Sequence, residues 1–315
     1  MNRRTALAGL LALAGCGARP AALPSALTGA GPDPARATVS GADGTPLALS
    51  RWAAKGAPRA VILALHGFGE SGPNTFGWAA RAWSEAGLAT YAYDQRGFGA
   101  NPSRRYWPGA EALVADAVAV SGQIRARHPD LPLVIVGHSM GGGIVLAAAA
   151  QGAGVGGLTG DALVLAAPAI AGGAQMSPLY RVGGWSLGTF APDRRFTGGD
   201  AVTLVPTDNR AALARAAADS HHFADASGRE LWGLVRVSDL AARAAPRVER
   251  PVLTLMGAKD DYVRAARVKA VHDTIPGPSR FVLYPDGWHW LFRDVQAPRV
   301  WADIADFATD LPSLR

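Results

Sequence analysis

Short apolar runs, several of them rich in β-branched residues, recur along the chain and alternate with longer segments whose apolar positions have helical spacing. The runs predict buried strands, and the helical spacing predicts helices that pack on them. Because the two patterns alternate, we expect an α/β fold with a mostly parallel, doubly wound sheet. The predicted strands cover residues 60–65, 88–93, 131–136, 162–166, 252–256 and 281–284, a hairpin covers 37–52, and the predicted helices cover 109–127, 265–275 and 298–311.

The pattern changes between residues 171 and 245, where apolar strand runs nearly vanish. Short amphipathic segments at 210–218 and 230–242 replace them. A loop of this length without secondary structure is uncommon in a compact domain. We therefore predict an inserted helical cap at 171–245, between two parts of an α/β core at 37–170 and 246–315.

One predicted strand-to-helix turn has the sequence Gly137-His138-Ser139-Met140-Gly141. A serine on so sharp a turn needs small neighbours, which the two glycines provide, and its hydroxyl then stands clear of the sheet. The Met140 amide lies at a helix N-terminus, where unpaired N–H groups and the helix dipole favour negative charge. A nucleophile beside an anion-stabilising amide is what acyl transfer requires. Ser139 is therefore the candidate nucleophile.

A second copy of the G-x-S-x-G pattern, centred on Ser186, has no strand before it and no small-residue helix after it. We interpret it as a loop without catalytic function.

Three glycines after the strand at 60–65 match the G-x-G-x-x-G pattern of dinucleotide-binding proteins: Gly67, Gly69 and Gly72. That fingerprint needs a helix that opens inside the motif. Pro73 and its neighbours intervene, so we expect the helix to start near Gly77. The loop is better interpreted as a source of backbone amides that face Ser139, with Phe68 and Met140 as the candidate oxyanion donors. After the next strand, Asp94 and Arg96 are expected to brace a turn.

A serine nucleophile needs a base to take its proton and an acid to hold that base. Asp260 and His289 each follow a predicted strand, so they belong to the same edge of the sheet as Ser139. Two other carboxylates, Asp261 and Asp286, compete with Asp260, which we favour because it comes first after the glycine turn. His272 competes with His289, but it lies inside a predicted helix, where a surface position is expected.

These motifs together resemble the serine α/β-hydrolases of the monoacylglycerol lipase and lysophospholipase type. The matching segments are His66-Gly67-Phe68-Gly69-Glu70, Asp94-Gln95-Arg96-Gly97-Phe98-Gly99, Gly137-His138-Ser139-Met140-Gly141-Gly142, Gly257-Ala258-Lys259-Asp260, Thr207-Asp208-Asn209 and His289. The resemblance implies that Ser139 is the nucleophile, Asp260 the acid and His289 the base. It also implies oxyanion donors at Phe68 and Met140, and a cap that shapes an acyl pocket. The expected reaction is hydrolysis of a lipid-like acyl ester without a metal or cofactor.

Two alternatives remain at this stage. An aminopeptidase of the same fold would need carboxylates in the cap to hold a substrate ammonium group, and Asp208, Asp219, Asp225 and Glu230 are available. A lipid-binding lipoprotein that has lost catalysis is the other alternative.

The first 36 residues have a different character from the rest of the 315-residue chain. Residues 1–15 combine two arginines with a short apolar stretch, and residues 13–16 resemble the lipobox of bacterial lipoproteins, in which Cys16 would be lipidated. Residues 16–36, rich in Ala, Pro and Gly, are typical of a tether. We expect an exported protein anchored to a membrane of the cell envelope on its periplasmic side. An ordinary signal peptide cleaved nearby is the alternative.

Charge and cysteine content exclude several other classes of protein. The formal net charge is +6, but the basic residues are scattered, and neither a basic arm nor a zinc-finger spacing is present. We therefore expect no nucleic-acid partner and no metal. With one cysteine in the chain, an intrachain disulfide cannot form.

Overall fold

The computed structural model describes residues 34–150, 157–197 and 204–311. The predicted signal segment, Cys16 and nearly all of the predicted tether lie outside these residues. Within them, an eight-stranded sheet has the order β1-β2-β4-β3-β5-β6-β9-β10. The strands are β1 (Ala35–Ser40), β2 (Pro46–Trp52), β3 (Ala60–Leu65), β4 (Leu88–Tyr93), β5 (Leu133–His138), β6 (Ala162–Ala166), β9 (Val252–Gly257) and β10 (Ser279–Tyr284) in the sheet, and β7 (Arg195–Phe196) and β8 (Ala226–Ser227) in a small ribbon.

The sheet is parallel from β4 to β10 and antiparallel at β1 and β2, where the predicted hairpin lies. Every residue of β3, β5 and β9 is buried, because helices cover both faces of the sheet. The predicted fold class is confirmed. The helices are α1 (Gly72–Glu85), α2 (Ala110–Arg127), α3 (Met140–Ala149), α4 (Pro178–Phe190), α5 (Arg210–Ala218), α6 (Gly228–Ala244), α7 (Ala265–His272) and α8 (Ala297–Asp310), with short 3-10 turns at Gly173–Gln175 and Ala245–Arg247.

Helix α1 begins at Gly72, five residues before the predicted start near Gly77. Ser71 caps it by accepting a hydrogen bond from the Asn74 amide at 3.4 Å. Pro73 does not delay the helix, because an amide in the first turn has no partner within the helix and a proline there loses nothing. The sequence-based prediction of the helix start was wrong for this reason.

Although α1 opens inside the glycine motif, the motif is not free to bind a phosphate. The Gly67 amide donates to Glu70 Oε2 at 3.1 Å, and the Gly72 amide donates to Asp94 Oδ1 at 2.7 Å. Carboxylates therefore occupy two of the amides that a pyrophosphate would need, and their charge would repel it.

We call residues 167–251, which join β6 to β9, the insert. Its described part contains α4, α5, α6 and the β7–β8 ribbon. Helix α6 starts at a capping box between Ser227 and Glu230 and packs against both α3 and α4. The predicted segments at 210–218 and 230–242 correspond to α5 and α6. The exact cap boundaries stay a prediction.

The second G-x-S-x-G copy lies in α4 and not in the predicted loop. Its two glycines, Gly184 and Gly188, lie against the Trp232 side chain of α6. The small residues there allow two helices to approach closely, so the pattern serves helix packing at this place.

No helix among the described residues has both the length and the apolar character needed to cross a membrane.

Candidate active site

Ser139 lies between β5 and α3 with φ 51° and ψ −116°, a backbone conformation that side chains rarely adopt. Such a conformation costs about 1–3 kcal/mol and persists only where the surroundings enforce it. The surroundings here are tight: a Cβ at Gly137 would lie 2.6 Å from the Gly141 carbonyl, and a Cβ at Gly141 would lie 2.2 Å from the Leu65 carbonyl oxygen. The two glycines of the motif are therefore needed for the turn to close against β3.

The three residues predicted to act together meet in one hydrogen-bonded line. His289 Nε2 lies 3.0 Å from Ser139 Oγ, and His289 Nδ1 lies 2.8 Å from Asp260 Oδ2. The Asp260 and His289 side chains are almost fully buried. Because the carboxylate accepts the Nδ1 proton, it leaves Nε2 free to accept a proton from the serine hydroxyl.

Asp260 is oriented by its own loop. Its Oδ1 accepts the amides of Tyr262 at 2.8 Å and Val263 at 2.9 Å, which leaves Oδ2 for the imidazole. The competing carboxylates have other positions. Asp286 is exposed and pairs with Lys259 at 2.7 Å, and Asp261 is exposed.

His272, the competing base, is not at the surface. It is 5% exposed, and its Nδ1 lies 3.0 Å from the Thr254 hydroxyl of β9. Burial lowers the pKa of His272, which favours a neutral ring in the core. The expected surface position was wrong because α7 turns this side of the helix toward the sheet.

The two candidate oxyanion donors lie in segments that follow two neighbouring strands, β3 and β5. Met140 is the first residue of α3, so its amide has no partner within the helix. Phe68 lies between Gly67, whose amide donates to Glu70, and Gly69, whose carbonyl accepts from Phe223. The backbone is therefore fixed on both sides of Phe68. Its role as a donor stays a prediction.

His66 stabilises the loop after β3 through both of its ring nitrogens. Its Nδ1 lies 2.7 Å from the Gly67 carbonyl, and its Nε2 accepts the Gln95 amide at 3.0 Å. These partners require a proton on Nδ1 alone. Burial lowers the pKa of His66, which favours the neutral form.

A buried charged cluster behind His289 was not predicted from the sequence. Glu70 pairs with the Arg293 guanidinium, and its Oε2 lies 3.2 Å from His138 Nδ1. His138 Nε2 lies 3.0 Å from the His289 carbonyl, so both ring nitrogens face acceptors. Burial alone would raise the pKa of Glu70, but Arg293 and His138 hold it well below its usual range.

This cluster supports the backbone of His289 and of the loop after β3 at the same time. Its members are far apart in sequence and only two of them belong to recognised motifs. The one signal in the sequence was the placement of Glu70 and His138 inside the two glycine-rich segments, and nothing in the spacing pointed to Arg293.

The insert is hydrogen-bonded to both sides of the site. The Phe223 amide donates to the Gly69 carbonyl at 2.9 Å, and the Trp290 amide donates to the Pro206 carbonyl at 2.8 Å. The Phe223 ring also packs edge-on against the Phe68 ring, with 5.6 Å between centroids. The insert is therefore in direct contact with the loop of the candidate oxyanion donor and with the residue after His289.

Asp94 braces the turn after β4, as expected, but Arg96 does not pair with it. Asp94 accepts the amides of Gly72 and Ala100, at 2.7 and 2.8 Å. Arg96 pairs instead with Asp43 and Asp116, which ties the β1–β2 hairpin to α2. The expectation for Arg96 was wrong because its guanidinium reaches two carboxylates that lie outside the turn.

Among the described residues, no group of three or more His, Cys, Asp or Glu side chains is arranged to hold a metal ion.

Residues 56–296 match a family described as serine aminopeptidase, S33. The match covers more than three quarters of the chain. The chain belongs to this family. A protein named monoacylglycerol lipase from Mycolicibacterium smegmatis is 28% identical over 274 residues, which is 86% of this chain and 95% of that protein.

Solved structures of other α/β-hydrolases have the same fold as this family member. A monoacylglycerol lipase from Paleococcus ferrophilus superposes with a TM-score of 0.70 at 20% identity, over 85% of this chain and 100% of the other. A carboxyl esterase from Bacillus coagulans gives 0.72 at 19% identity, over 89% and 99%. The resemblance to the monoacylglycerol lipase group is confirmed.

Proposed function

We propose that this protein is a serine hydrolase that cleaves carboxylic esters with a lipid-like acyl chain, such as monoacylglycerols or lysophospholipids. The observation that carries the proposal is the hydrogen-bonded line from Ser139 Oγ through the His289 ring to Asp260. The name of the full-length relative, monoacylglycerol lipase, supports the choice of an acyl ester.

In the first step, His289 Nε2 takes the Ser139 proton as Oγ attacks the ester carbonyl. The carbonyl oxygen becomes an anion, which the Phe68 and Met140 amides would stabilise. Asp260 stabilises the imidazolium that has formed. Collapse of this intermediate breaks the ester bond, and the alcohol leaves with the proton from His289.

In the second step, His289 removes a proton from water, and the hydroxide attacks the acyl-Ser139 carbonyl. A second oxyanion forms at the same two amides. When it collapses, the fatty acid leaves and Ser139 recovers its proton from His289.

The contacts of the carboxylates in the insert argue against a peptide substrate with a free amino terminus and for an ester substrate. Asp219 accepts from Ser71 and Asn74, and Glu230 belongs to the capping box of α6. Asp225 pairs with arginines, and Asp208 accepts the Val295 amide at 2.9 Å. All four candidate partners for a substrate ammonium group are thus engaged in structural contacts.

The catalytic roles are tested by replacing Ser139 with alanine and measuring turnover of short p-nitrophenyl esters. We expect kcat to fall by about 10³-fold or more, because only the oxyanion donors would remain. Ser186→Ala is the matched control, since it alters the other G-x-S-x-G serine within α4 and should keep normal turnover. Near-normal turnover of Ser139→Ala would remove Ser139 from the mechanism.

The substrate class is tested by assaying monoacylglycerols, lysophospholipids and aminoacyl anilides in parallel. Faster cleavage of the anilides would establish the aminopeptidase alternative. A fluorophosphonate probe tests the other alternative, a lipid-binding protein without catalysis. We expect labelling of the wild type and none of Ser139→Ala.

We also propose that the protein is exported and anchored to a membrane of the bacterial envelope through lipidated Cys16. Support comes from the segment at residues 13–16 and from a large apolar surface on α4, since such surfaces are typical of membrane or protein contacts. The exposed apolar side chains of α4 are Leu179, Tyr180, Val182, Trp185 and Phe190. Incorporation of labelled palmitate into the wild type, and its loss in Cys16→Ala, is the expected result. Equal labelling of both would contradict the anchor.

A further inference from the structure

The ring of Tyr262 lies flat against the imidazole of His289. The two ring centroids are 4.6 Å apart, and the planes differ by 18°. Tyr262 has no hydrogen bond to the imidazole through its side chain and plays no part in the proton transfers described above. Its close contact with the proposed base nevertheless requires an explanation.

The same carboxylate fixes both partners of the stack. Asp260 Oδ2 holds His289 Nδ1 at 2.8 Å, and Asp260 Oδ1 accepts the backbone amide of Tyr262, also at 2.8 Å. The phenol ring is therefore positioned by the residue that positions the imidazole, so their parallel contact is built into the loop after β9.

The phenol stays neutral in the working range of pH. Burial and the Asp260 charge raise the pKa of Tyr262, and Glu70 and Asp261 act in the same direction. A neutral aromatic ring carries partial negative charge on its faces, and a cation placed over a face is attracted to it.

The other groups around His289 are already assigned. Asp260 binds its Nδ1 edge, and Ser139 faces Nε2. The His138 ring lies 5.3 Å away at a tilt of 47°, held by Glu70, which Arg293 neutralises. Tyr262 is thus the aromatic group that stacks in parallel on the imidazole among the residues described.

We propose that Tyr262 stabilises the His289 imidazolium through the face of its ring and so acts as a positioning residue for the base. The proposal rests on the proposed function, in which His289 becomes positively charged at each proton transfer. The interaction strengthens as that charge develops, so it lowers the barrier to both steps.

Two substitutions distinguish an effect of the aromatic ring face from an effect of merely covering the imidazole. Tyr262→Leu keeps an apolar side chain over His289 but removes the aromatic face, whereas Tyr262→Phe keeps the face and removes only the hydroxyl. The rate and its pH dependence are measured on a p-nitrophenyl ester for both variants and the wild type, with thermal unfolding to verify that all three are folded.

For Tyr262→Leu we expect kcat to fall about fivefold and the lower pH midpoint of kcat/KM to move down by about 0.7 unit, the effects of losing one surface cation–π contact. Tyr262→Phe should stay within about twofold of the wild type. A residue that only fills space would lower the rate without moving the midpoint. An unchanged or raised midpoint in Tyr262→Leu overturns the proposal.

An NMR titration of the His289 ring in the resting enzyme separates this proposal from the proposed function. Its midpoint should also move down in Tyr262→Leu, and this result does not depend on any substrate. If the wild type cleaves no ester but the midpoint moves, the proposed function fails while the ring contact stands. If esters are cleaved and the midpoint is unchanged, the ring contact fails alone.

Discussion

Replacing Arg293 with methionine tests the buried charged cluster behind the active site. Methionine keeps an unbranched apolar side chain against the Trp290 ring, over which the guanidinium carbon now lies at 3.9 Å from the ring centroid. The substitution removes the positive charge and the hydrogen bonds to Glu70 and Asn74. Any loss of stability beyond packing therefore reports on the charge together with these hydrogen bonds.

The magnitude follows from burial. The side chains of Arg293 and Glu70 are 1% and 3% exposed, so the substitution leaves a carboxylate in the core without its cation. Breaking a buried ion pair from one side typically costs about 3–5 kcal/mol. Lys55→Met is the matched control, because its pair with Glu85 is 71% and 68% exposed, and such pairs are worth about 0–1 kcal/mol.

The direction in which the loss of stability changes with pH is a second test of this reasoning. In the wild type, the lowered pKa of Glu70 stabilises the fold at pH values above 4.5, the ordinary pKa of a glutamate. This contribution is lost as the pH falls. Without Arg293, only His138 opposes the effect of burial, so we expect the pKa of Glu70 to rise above its ordinary value of 4.5. The variant then becomes less stable as the pH rises, so its deficit against the wild type is larger at pH 7.5 than at pH 5.

The assay is urea unfolding of both variants and the wild type at the two pH values. Adding Glu70→Gln to Arg293→Met should recover part of the loss, since the double variant buries no lone charge. A loss below about 1 kcal/mol at pH 7.5, in line with an exposed pair, would refute the reasoning. An equal loss at both pH values would refute it as well.

Two further substitutions test carboxylates on either side of the active site. Asp260→Asn should lower kcat on a p-nitrophenyl ester by about 10⁴-fold, because the imidazole loses its orientation and its counter-charge. The exposed neighbour is the control: if Asp261→Asn has the larger effect, Asp260 is not the acid. Burial raises the pKa of Asp294 to about 7, so ionisation of this side chain destabilises the fold as the pH rises above 4. The free energy of unfolding of Asp294→Asn, measured in urea, should therefore exceed that of the wild type by up to about 4 kcal/mol at pH 8 and show no gain at pH 4. A variant less stable than the wild type at pH 8 would contradict this.

Much of the α/β core could be predicted because its signals are local. Short β-branched runs mark β3, β5 and β9, which are buried on both faces, and a strand of that kind needs no distant residue to be recognised. The turn at Ser139 is also local, since two glycines at fixed spacing are what its geometry demands. The order of Ser139, Asp260 and His289 then placed three side chains at one edge of the sheet.

Local signals failed where an element's surroundings decide its role. The G-x-S-x-G pattern at Ser186 lies in a helix, and its glycines contact Trp232 of another helix. His272 is buried because it lies on the side of α7 that faces the sheet. Helix α1 starts before the predicted position because a proline in the first turn removes an amide that had no partner.

The sequence alone determined which residue types could perform the chemistry and near which strand ends they would lie, because periodicity and turn chemistry act over a few residues. Only the tertiary structure decided which of these side chains contact one another. Glu70, which follows β3, meets Arg293, which follows β10, and Tyr262, which follows β9, covers His289. Burial and charge pairing depend on those long-range contacts, so they could not be predicted from spacing along the chain.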